Sequence, residues 1–253
     1  MSITSAPAQR GLYLYGITVA DNTARFAGGV GGADVEPIVE GRLEAVVSRL
    51  SIGKVRPQRA HLAAHHRVLH DMAEEQPVLP VVFGTVTESE AELRRLMRRN
   101  HDALLGLLER LRGRVEMGLK VYWDIPNVFE YFVATNQELE GLRNKLFRPG
   151  RTPTIEEKIA IGERFVSLLQ QARARHTQRV REALASCSVE VRVIDPGDEK
   201  MIMKLACLVE KPRVEHWEEG VRQAAALFDD HYRFDYNGPW PAYNFVDVNL
   251  KWS

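Results

Sequence analysis

The stretch SVEVRVI at residues 188–194, together with MIMKLACLVE at residues 201–210, decides the fold class of this chain. The first run alternates between polar and apolar residues, which predicts a half-buried strand. The second is apolar almost throughout, which predicts a strand in the middle of a sheet. The residues between them, DPGD at 195–198, are typical of a turn. We therefore expect two neighbouring strands in the C-terminal half.

The segments on either side of this strand pair alternate between helix and strand patterns. They predict, in chain order, a strand, two helices, a further helix and a last strand at residues 115–123, 126–147, 154–185, 214–228 and 231–236. With the two neighbouring helices counted as one crossover, the order of the whole half becomes βαββαβ. This is the order of a ferredoxin-like domain, an antiparallel sheet with helices on one face, here with an inserted helical pair.

The N-terminal half predicts a second, smaller α+β domain. Strand patterns occupy residues 11–19, 35–39, 43–50 and 78–86. The second and third of these are joined by Glu40-Gly41-Arg42, which predicts a hairpin turn. Helix patterns occupy residues 57–76 and 87–111. Thr87 and Glu90 have the spacing of a capping box at the start of the second helix.

The length of 253 residues suits one large or two small domains, at roughly 100–200 residues per domain. We predict an N-terminal α+β domain at residues 1–113, a C-terminal ferredoxin-like domain at residues 114–237 and a docking tail at residues 238–253. No apolar stretch approaches the roughly 20 residues that span a bilayer. Residues 1–10 also lack the apolar centre of a signal peptide. We therefore expect a cytoplasmic protein with no membrane span.

The charges of the chain balance, with 34 Lys and Arg against 34 Asp and Glu. A protein that binds nucleic acid usually carries a basic excess that neutralises phosphates, so we expect no nucleic-acid partner. An RNA-binding ferredoxin-like module is the weaker alternative, because the aromatic strand motif of such modules is missing. A net charge near zero also weakens self-repulsion and so favours self-association.

Neither the cysteines nor the carboxylates indicate an active site. Cys187 and Cys207 lie in apolar, strand-like runs and outside any CxxC motif, which favours buried reduced thiols over a zinc or redox site. No GxSxG elbow is present, and the carboxylates are scattered over solvated helical positions. We therefore predict no catalytic residues and no cofactor.

Four histidines on one predicted helix offer an alternative function, that of a metal-dependent enzyme. His61 and His65 are four residues apart, as are His66 and His70, and this spacing can place two imidazoles on one ion. The two pairs are offset by about 140° around the helix, so the four cannot converge on a single ion. A helix with partly buried histidines is the simpler interpretation, and we predict no metal site.

Two features indicate surfaces for protein contact. The tail GPWPAYNFV at residues 238–246 combines prolines, which force an extended path, with aromatic residues that can anchor it on an apolar surface. It either packs on its own domain or adds to a sheet edge, in this chain or on a partner. The second feature is an arginine-rich helix face that is either solvated or in contact with an acidic partner, formed by Arg94, Arg95, Arg98 and Arg99.

On these residues the chain resembles the gas vesicle GvpL/GvpF family. The tail at residues 238–246 is similar to the C-terminal signature of that family. Two further stretches agree, YLYG at residues 13–16 and LPVVFGTV at residues 79–86, the second of which resembles the family's LPxRFGTV element. Val82 stands where the family often has arginine, and Ala242 stands where proline is common.

The resemblance covers about residues 10–247 and implies a two-domain α+β protein of gas vesicle assembly. It implies an accessory or minor structural protein of the vesicle, not an enzyme, whose partners are the major shell protein and other accessory proteins. The contact elements that we expect are the tail, the arginine-rich face and an edge of the C-terminal sheet. The residues that we expect to bind partners are Pro239, Trp240, Pro241, Tyr243, Phe245, Arg94, Arg95 and Arg98.

Overall fold

The computed structural model describes residues 10–21, 26, 28–51 and 55–246. The chain divides into two compact units, the first made of Met1–Glu116 with Pro239–Ser253 and the second of Met117–Gly238. The segment that begins at Pro239 therefore belongs to the same unit as the N-terminal half. Residues 247–253 of the predicted docking tail, and residues 1–9 at the other end, lie outside the described residues.

A five-stranded antiparallel sheet forms the frame of the first unit. Its strands are β1 (Arg10–Val19), β2 (Glu36–Glu40), β3 (Leu43–Ser51), β4 (Val78–Pro80) and β5 (Val86–Thr87). Their order is β2-β3-β1-β4, and β5 also pairs with β1. The predicted hairpin is confirmed, because β2 and β3 pair directly across Gly41, whose φ of +61° is a conformation that glycine adopts without strain.

The strand predicted at residues 78–86 is interrupted in the structure. Its two ends form β4 and β5, which both pair antiparallel with β1, and residues 81–85 loop out between them. At the same level β1 contains an extra residue, because its register with β3 shifts between Leu14 and Gly16. Pro80 has no N–H to donate and Gly84 takes a φ of +89°, so the stretch cannot continue as a regular strand.

The described part of the first unit also contains three α-helices: α1 (Arg59–Glu75), α2 (Glu90–Arg99) and α3 (His101–Leu111). The single helix predicted over residues 87–111 is wrong, because it breaks at Asn100, whose side-chain amide donates to the Leu96 carbonyl at 2.8 Å. The predicted cap is displaced as well. Ser89 caps α2 by accepting from the N–H of Glu92, whereas the Thr87 hydroxyl donates to the Glu92 carboxylate. Thr87 pairs with β1 and is therefore part of the sheet.

A four-stranded antiparallel sheet forms the frame of the second unit. Its strands are β6 (Arg114–Trp123), β7 (Glu190–Ile194), β8 (Met201–Glu210) and β9 (Tyr232–Trp240), in the order β7-β8-β6-β9. The strand pair that the sequence singled out is confirmed, with Val191 opposite Cys207. β7 and β9 form the two edges. β9 extends beyond the predicted strand at residues 231–236 and continues through Gly238 and Pro239, since proline is tolerated at an edge.

Four helices accompany this sheet: α4 (Val128–Thr135), α5 (Gln137–Leu146), α6 (Ile155–Leu184) and α7 (Val214–Ala225). The helix predicted over residues 126–147 is two helices, because Asn136 caps the second by accepting from the N–H of Leu139 at 3.1 Å. α6 begins with a capping box formed by Thr154 and Glu157, and both of its reciprocal hydrogen bonds are present. The α+β class predicted from the sequence is confirmed.

Candidate functional site

Aromatic side chains from separate parts of the sequence meet in the first unit. We call this set the aromatic cluster: Tyr13 and Tyr15 of β1, His65 of α1, Phe83 of the loop at residues 81–85, and Tyr243 of the tail. The ring centroids of Tyr13 and Tyr15 lie 4.9 Å apart, and that of Phe83 lies 5.6 Å from His65. Edge-to-face pairs at such distances contribute about 0.5–1.5 kcal/mol each. The three stretches that carry the family resemblance thus share one core.

The buried imidazole of His65 has both ring nitrogens engaged. Its Nδ1 lies 2.8 Å from the Tyr13 hydroxyl oxygen, and its Nε2 lies 3.1 Å from the Val81 carbonyl oxygen. A carbonyl can only accept, so Nε2 carries the hydrogen. Burial lowers the pKa of His65 to about 4, so the ring is neutral at pH 7 and Nδ1 accepts from the hydroxyl. The Tyr13 oxygen accepts in turn from the N–H of Gly84 at 3.2 Å. These bonds tie the loop at residues 81–85 to β1 through His65 and Tyr13.

Burial moves the pKa values of this cluster away from neutrality. Desolvation lowers the pKa of His65 to about 4, and the charge of His66 acts in the same direction. Desolvation also raises the pKa of Tyr13 to about 12 and raises that of Tyr243. A general acid or base that works near pH 7 needs a pKa near that value. These groups are neutral at pH 7 and suited to packing and hydrogen bonding.

A second buried hydrogen-bond chain starts at Tyr15. Its hydroxyl accepts from the N–H of Val30 at 2.8 Å and lies 2.9 Å from the Ser48 hydroxyl oxygen. Since Ser48 donates to the Asp34 carbonyl at 2.8 Å, the Tyr15 hydroxyl donates to Ser48. A Cβ added to Gly29 would lie 2.2 Å from the Tyr15 oxygen, so only glycine fits there. These hydrogen bonds fix the segment at residues 28–34 on the sheet.

The second half of the tail is anchored in the first unit. Phe245 is fully buried, and Tyr243 packs against other members of the aromatic cluster and against the ring of His66. The backbone N–H of Asn244 donates to the Glu116 carboxylate at 2.8 Å, and the Asn244 side-chain amide donates to its other oxygen at 2.5 Å. Residues 241–246 of the tail therefore pack with the N-terminal half of the chain, whereas residues 238–240 belong to the edge strand β9.

The first half of the tail is exposed. Pro239 and Trp240 end the edge strand β9, Trp240 retains 48% of its surface, and Pro241 is partly exposed. The five tail residues expected to bind partners thus fall into two groups. Phe245, which is buried, and Tyr243, which is partly buried, hold the tail in place. Trp240 and the prolines beside it are accessible from outside.

The arginine-rich face of α2 is divided in the same way. Arg94 binds Glu90 at 2.8 Å and Glu40 at 3.4 Å, and Arg98 binds Glu40 at 2.9 Å. The hydrogen bond from Arg98, followed by that from Arg94, holds the pKa of Glu40 below its ordinary value. Arg95 is exposed and has no ion pair within 4 Å among the residues that the structure describes. Two of the three arginines expected to bind partners therefore bind this chain itself.

The four histidines of α1 have different surroundings. His65 is internal, whereas His61 faces a backbone carbonyl and His70 a surface carboxylate. His66 packs on Tyr243. In residues 10–21, 26, 28–51 and 55–246, no group of three or more His, Cys, Asp or Glu side chains could hold a metal ion. The arrangement gives the metal-dependent alternative no support.

The two cysteines are free and buried, as the sequence indicated. Burial raises the pKa of the Cys187 thiol, which keeps it protonated and unreactive. Cys187 also lies directly against α7, where a Cβ added to Gly220 would come within 2.7 Å of its sulfur. The thiol therefore acts as a small core residue.

Sequence reasoning missed Glu116 as a determinant of the tail. This carboxylate is nearly buried in β6, and its two oxygens hold the backbone and the side chain of Asn244. The available signal was a lone acidic residue inside the apolar strand pattern VEMGLKV at residues 115–121. An acidic residue in such a pattern requires a partner, because a buried charge without one is costly.

These observations define a class of protein: an α+β chain of two units in which the distinctive motifs pack and hydrogen-bond to one another. The family described as "Gas vesicle synthesis protein GvpL/GvpF" matches residues 11–247, and the chain belongs to this family. No helix in the described part of the chain is long and apolar enough to cross a membrane.

Individual relatives agree with this assignment. The chain is 30% identical to gas vesicle protein F of Streptomyces sp. (strain CB03234) over 93% of this chain and 99% of that protein. It is 27% identical to gas vesicle protein L of the same organism, over 88% of this chain and 86% of that protein. The crystal structure of GvpF from Anabaena sp. PCC7120 superposes with a TM-score of 0.81 at 26% identity, over 94% of this chain and 99% of that one.

Proposed function

We propose that this chain is an accessory or minor structural protein that binds the major shell protein and other vesicle proteins during gas vesicle assembly, without catalysing a reaction. It acts at the gas vesicle, within the cytoplasm. The observation that carries the proposal is the aromatic cluster. The three family-like stretches meet there in a buried core, where Tyr13 is hydrogen-bonded to His65 and Tyr15 to Ser48. The motifs therefore hold loops and tail in place, which supports a role in binding and not in catalysis.

The exposed start of the tail is the contact that we favour. Tryptophan is enriched among the residues that dominate binding energy, and Trp240 is 48% exposed next to two prolines. The anchored half behind it, with Phe245 in the core and Asn244 on Glu116, holds the contact in one conformation. Such preorganisation lowers the entropy lost on binding. Arg95, directed outward from α2, is the accessible member of the arginine-rich face for an acidic partner.

We also infer that the second unit is a ferredoxin-like domain. In the order β7-β8-β6-β9, β8 lies between the strands that α4, α5 and α6 connect, and β6 lies between the strands that α7 connects. Each βαβ unit is thus split by a strand, as in that arrangement. An open sheet of this kind has two edges, β7 and β9, that are able to pair with added strands.

Binding to the purified major shell protein tests the proposed function. We expect Trp240→Ala to lower the amount of shell protein retained by the immobilised chain at least fivefold, because a central exposed tryptophan is worth roughly 1–2 kcal/mol or more when it is a main contact. Phe147→Ala is the matched control, since Phe147 is also an exposed aromatic, with 57% of its surface accessible. Equal retention by both variants and the unaltered chain would refute the role of Trp240, and no retention by any of them would refute the proposed function.

A further inference from the structure

The edge strand β7 carries an incompletely covered apolar row. In the ladder Val191 lies opposite Cys207 and Val193 opposite Leu205, and both partners belong to the core between sheet and helices. Val191 and Val193 therefore face the helix layer. Val189, directly before β7, continues this row, because it lines the same groove beside α6 as Val191 does. Only Val191 is packed, whereas Val189 is 45% exposed and Val193 is 52% exposed.

A groove runs beside this row. It has a volume of about 330 Å³ and lies between the C-terminal part of α6 and β7, and the residues that line it include Gln178, Arg181, Glu182, Val189, Glu190 and Val191. Among the described residues β7 pairs only with β8, so it forms the outer strand of the sheet. A sheet edge with exposed valines and a groove alongside is the usual setting for the addition of a further strand.

The order of residues in β7 identifies the added strand. We propose that β7 pairs antiparallel with β7 of a second copy of this chain, about a two-fold axis that passes through Val191. In this register Glu190 of each copy lies opposite Arg192 of the other. Val189 likewise lies opposite Val193. The strand is thus complementary to itself in charge and in side-chain type, as a two-fold interface requires.

The charges already present support this register. Within one strand Arg192 Nε lies 2.7 Å from the Glu190 carboxylate, so the two side chains stand on the same face, opposite to the valines. In the antiparallel register the second copy places an arginine opposite Glu190 and a glutamate opposite Arg192. The four charges therefore alternate in sign. Opposite charges across a strand pair stabilise it, and like charges destabilise it. The valine face of the second copy meanwhile covers the exposed Val189 and Val193.

The balanced charge of the whole chain is compatible with such a dimer. With 34 basic and 34 acidic residues, two copies approach without net repulsion. The β7 edge is separate from Trp240, the contact favoured for the shell protein, so the dimer and the proposed function fail or hold independently.

Sedimentation velocity over a range of concentrations tests the dimer. We expect the unaltered chain to shift from monomer to dimer with rising concentration. Arg192→Glu and Glu190→Arg should each raise the dimer dissociation constant roughly tenfold or more, because each substitution enters the two-fold interface twice as a like-charge contact. The double variant Glu190→Arg/Arg192→Glu restores opposite signs across the axis, so it should dimerise like the unaltered chain.

A mixture of the two single variants gives the sharpest result. The strand with Glu at both positions lies opposite the strand with Arg at both positions, so a one-to-one mixture should form heterodimers although neither variant dimerises alone. Circular dichroism and thermal unfolding of each variant separate loss of dimer from loss of fold. A chain that stays monomeric at all concentrations would overturn the proposal, and so would single variants that dimerise unchanged.

The opposite edge provides the matched control. In β9, Arg233 pairs with Asp235 at 3.3 Å, again two residues apart on an edge strand. We expect Arg233→Glu to leave the dimer intact. If Arg233→Glu abolishes the dimer while Arg192→Glu does not, the interface lies on β9 and the assignment to β7 is wrong.

Discussion

The cores of the two units are built from different kinds of aromatic side chain. The first unit buries tyrosines and a histidine whose polar atoms bond to one another and to loop backbone. The second unit buries Trp217 completely, and its indole N–H has no hydrogen-bond partner among the described residues. The first core therefore specifies where loops and tail lie, whereas the second gains its stability from apolar burial.

The largest expected effect is on the apolar core. Trp217→Ala removes a fully buried indole that packs edge to face on Tyr236 at 5.8 Å, and should lower the free energy of unfolding by about 3–5 kcal/mol. Urea unfolding measured by circular dichroism checks this value. Leu227→Ala, at a residue that is 45% exposed in the same unit, is the control and should change stability little. A loss that is equally small for both variants would contradict the comparison.

The polar core should make stability depend on pH. Because the pKa of His65 is about 4 when folded and about 6.5 when unfolded, the unfolded chain binds the proton first. The contribution of His65 is therefore complete above pH 6.5 and is lost as the pH falls to 4, a change of about 3 kcal/mol. His65→Gln should flatten the unfolding free energy between these pH values.

The second unit supplies the control for this pH dependence. The pKa of His176 is also lowered, first by burial and then by Arg175 and Arg179. His176→Gln should therefore remove a separate part of the slope and leave the part due to His65. An unchanged slope in His65→Gln would show that burial does not hold the pKa of the imidazole below its ordinary value.

Replacing a tyrosine by phenylalanine should change the free energy of unfolding differently at two positions of the first unit. Tyr15→Phe leaves the N–H of Val30 buried without its acceptor, and should cost about 1–3 kcal/mol. The hydroxyl of Tyr243 is buried and has no partner in the part of the chain that the structure covers. Tyr243→Phe should therefore be neutral or stabilise by up to about 1 kcal/mol. Thermal unfolding of the two variants side by side measures the difference, and equal losses would contradict it.

The sequence predicted those elements whose signals are local. The alternation at residues 188–194, the hairpin at Gly41 and the apolar run of β8 are properties of neighbouring residues, and each predicted element is present. The two helix breaks were missed because the apolar periodicity continues across Asn100 and Asn136. Only the side-chain bonds of these asparagines to nearby backbone reveal the breaks.

The aromatic cluster could be predicted only in part. The motifs at residues 13–16, 79–86 and 238–246 were recognisable, but their meeting depends on strand order, which joins residues far apart in the chain. The spacing of the histidines along α1 could not predict which of them is buried. The partner of the buried one, His65, is the Tyr13 hydroxyl, 52 residues away in the chain. Phe245 was expected at a partner interface, since an aromatic residue near an end of a chain has the same pattern in a core as on a surface.

The smallest expected effects concern surface charges, and they extend the comparison to the exterior. In the first unit Glu40 receives both Arg94 and Arg98 and is only 19% exposed in its side chain, whereas in the second unit Glu219 meets Arg222 with 49% exposed. Hydrogen bonds from the arginines lower the pKa of both carboxyls, so both pairs are charged at pH 7. Solvent screens the second pair more than the first.

Glu40→Gln should therefore lower the melting temperature slightly, by less than Tyr15→Phe does, and Glu219→Gln should leave it unchanged. The shift in Glu40→Gln should shrink in 1 M salt, because screening shortens the range of the charges to about 3 Å. Equal shifts in the melting temperature of the two variants would mean that polar contacts specify the structure of the first unit only in its interior. A larger shift for Glu40→Gln would mean that α2 is fixed to β2 by the arginines themselves, which leaves Arg95 as the member of that face to alter when partner binding is measured.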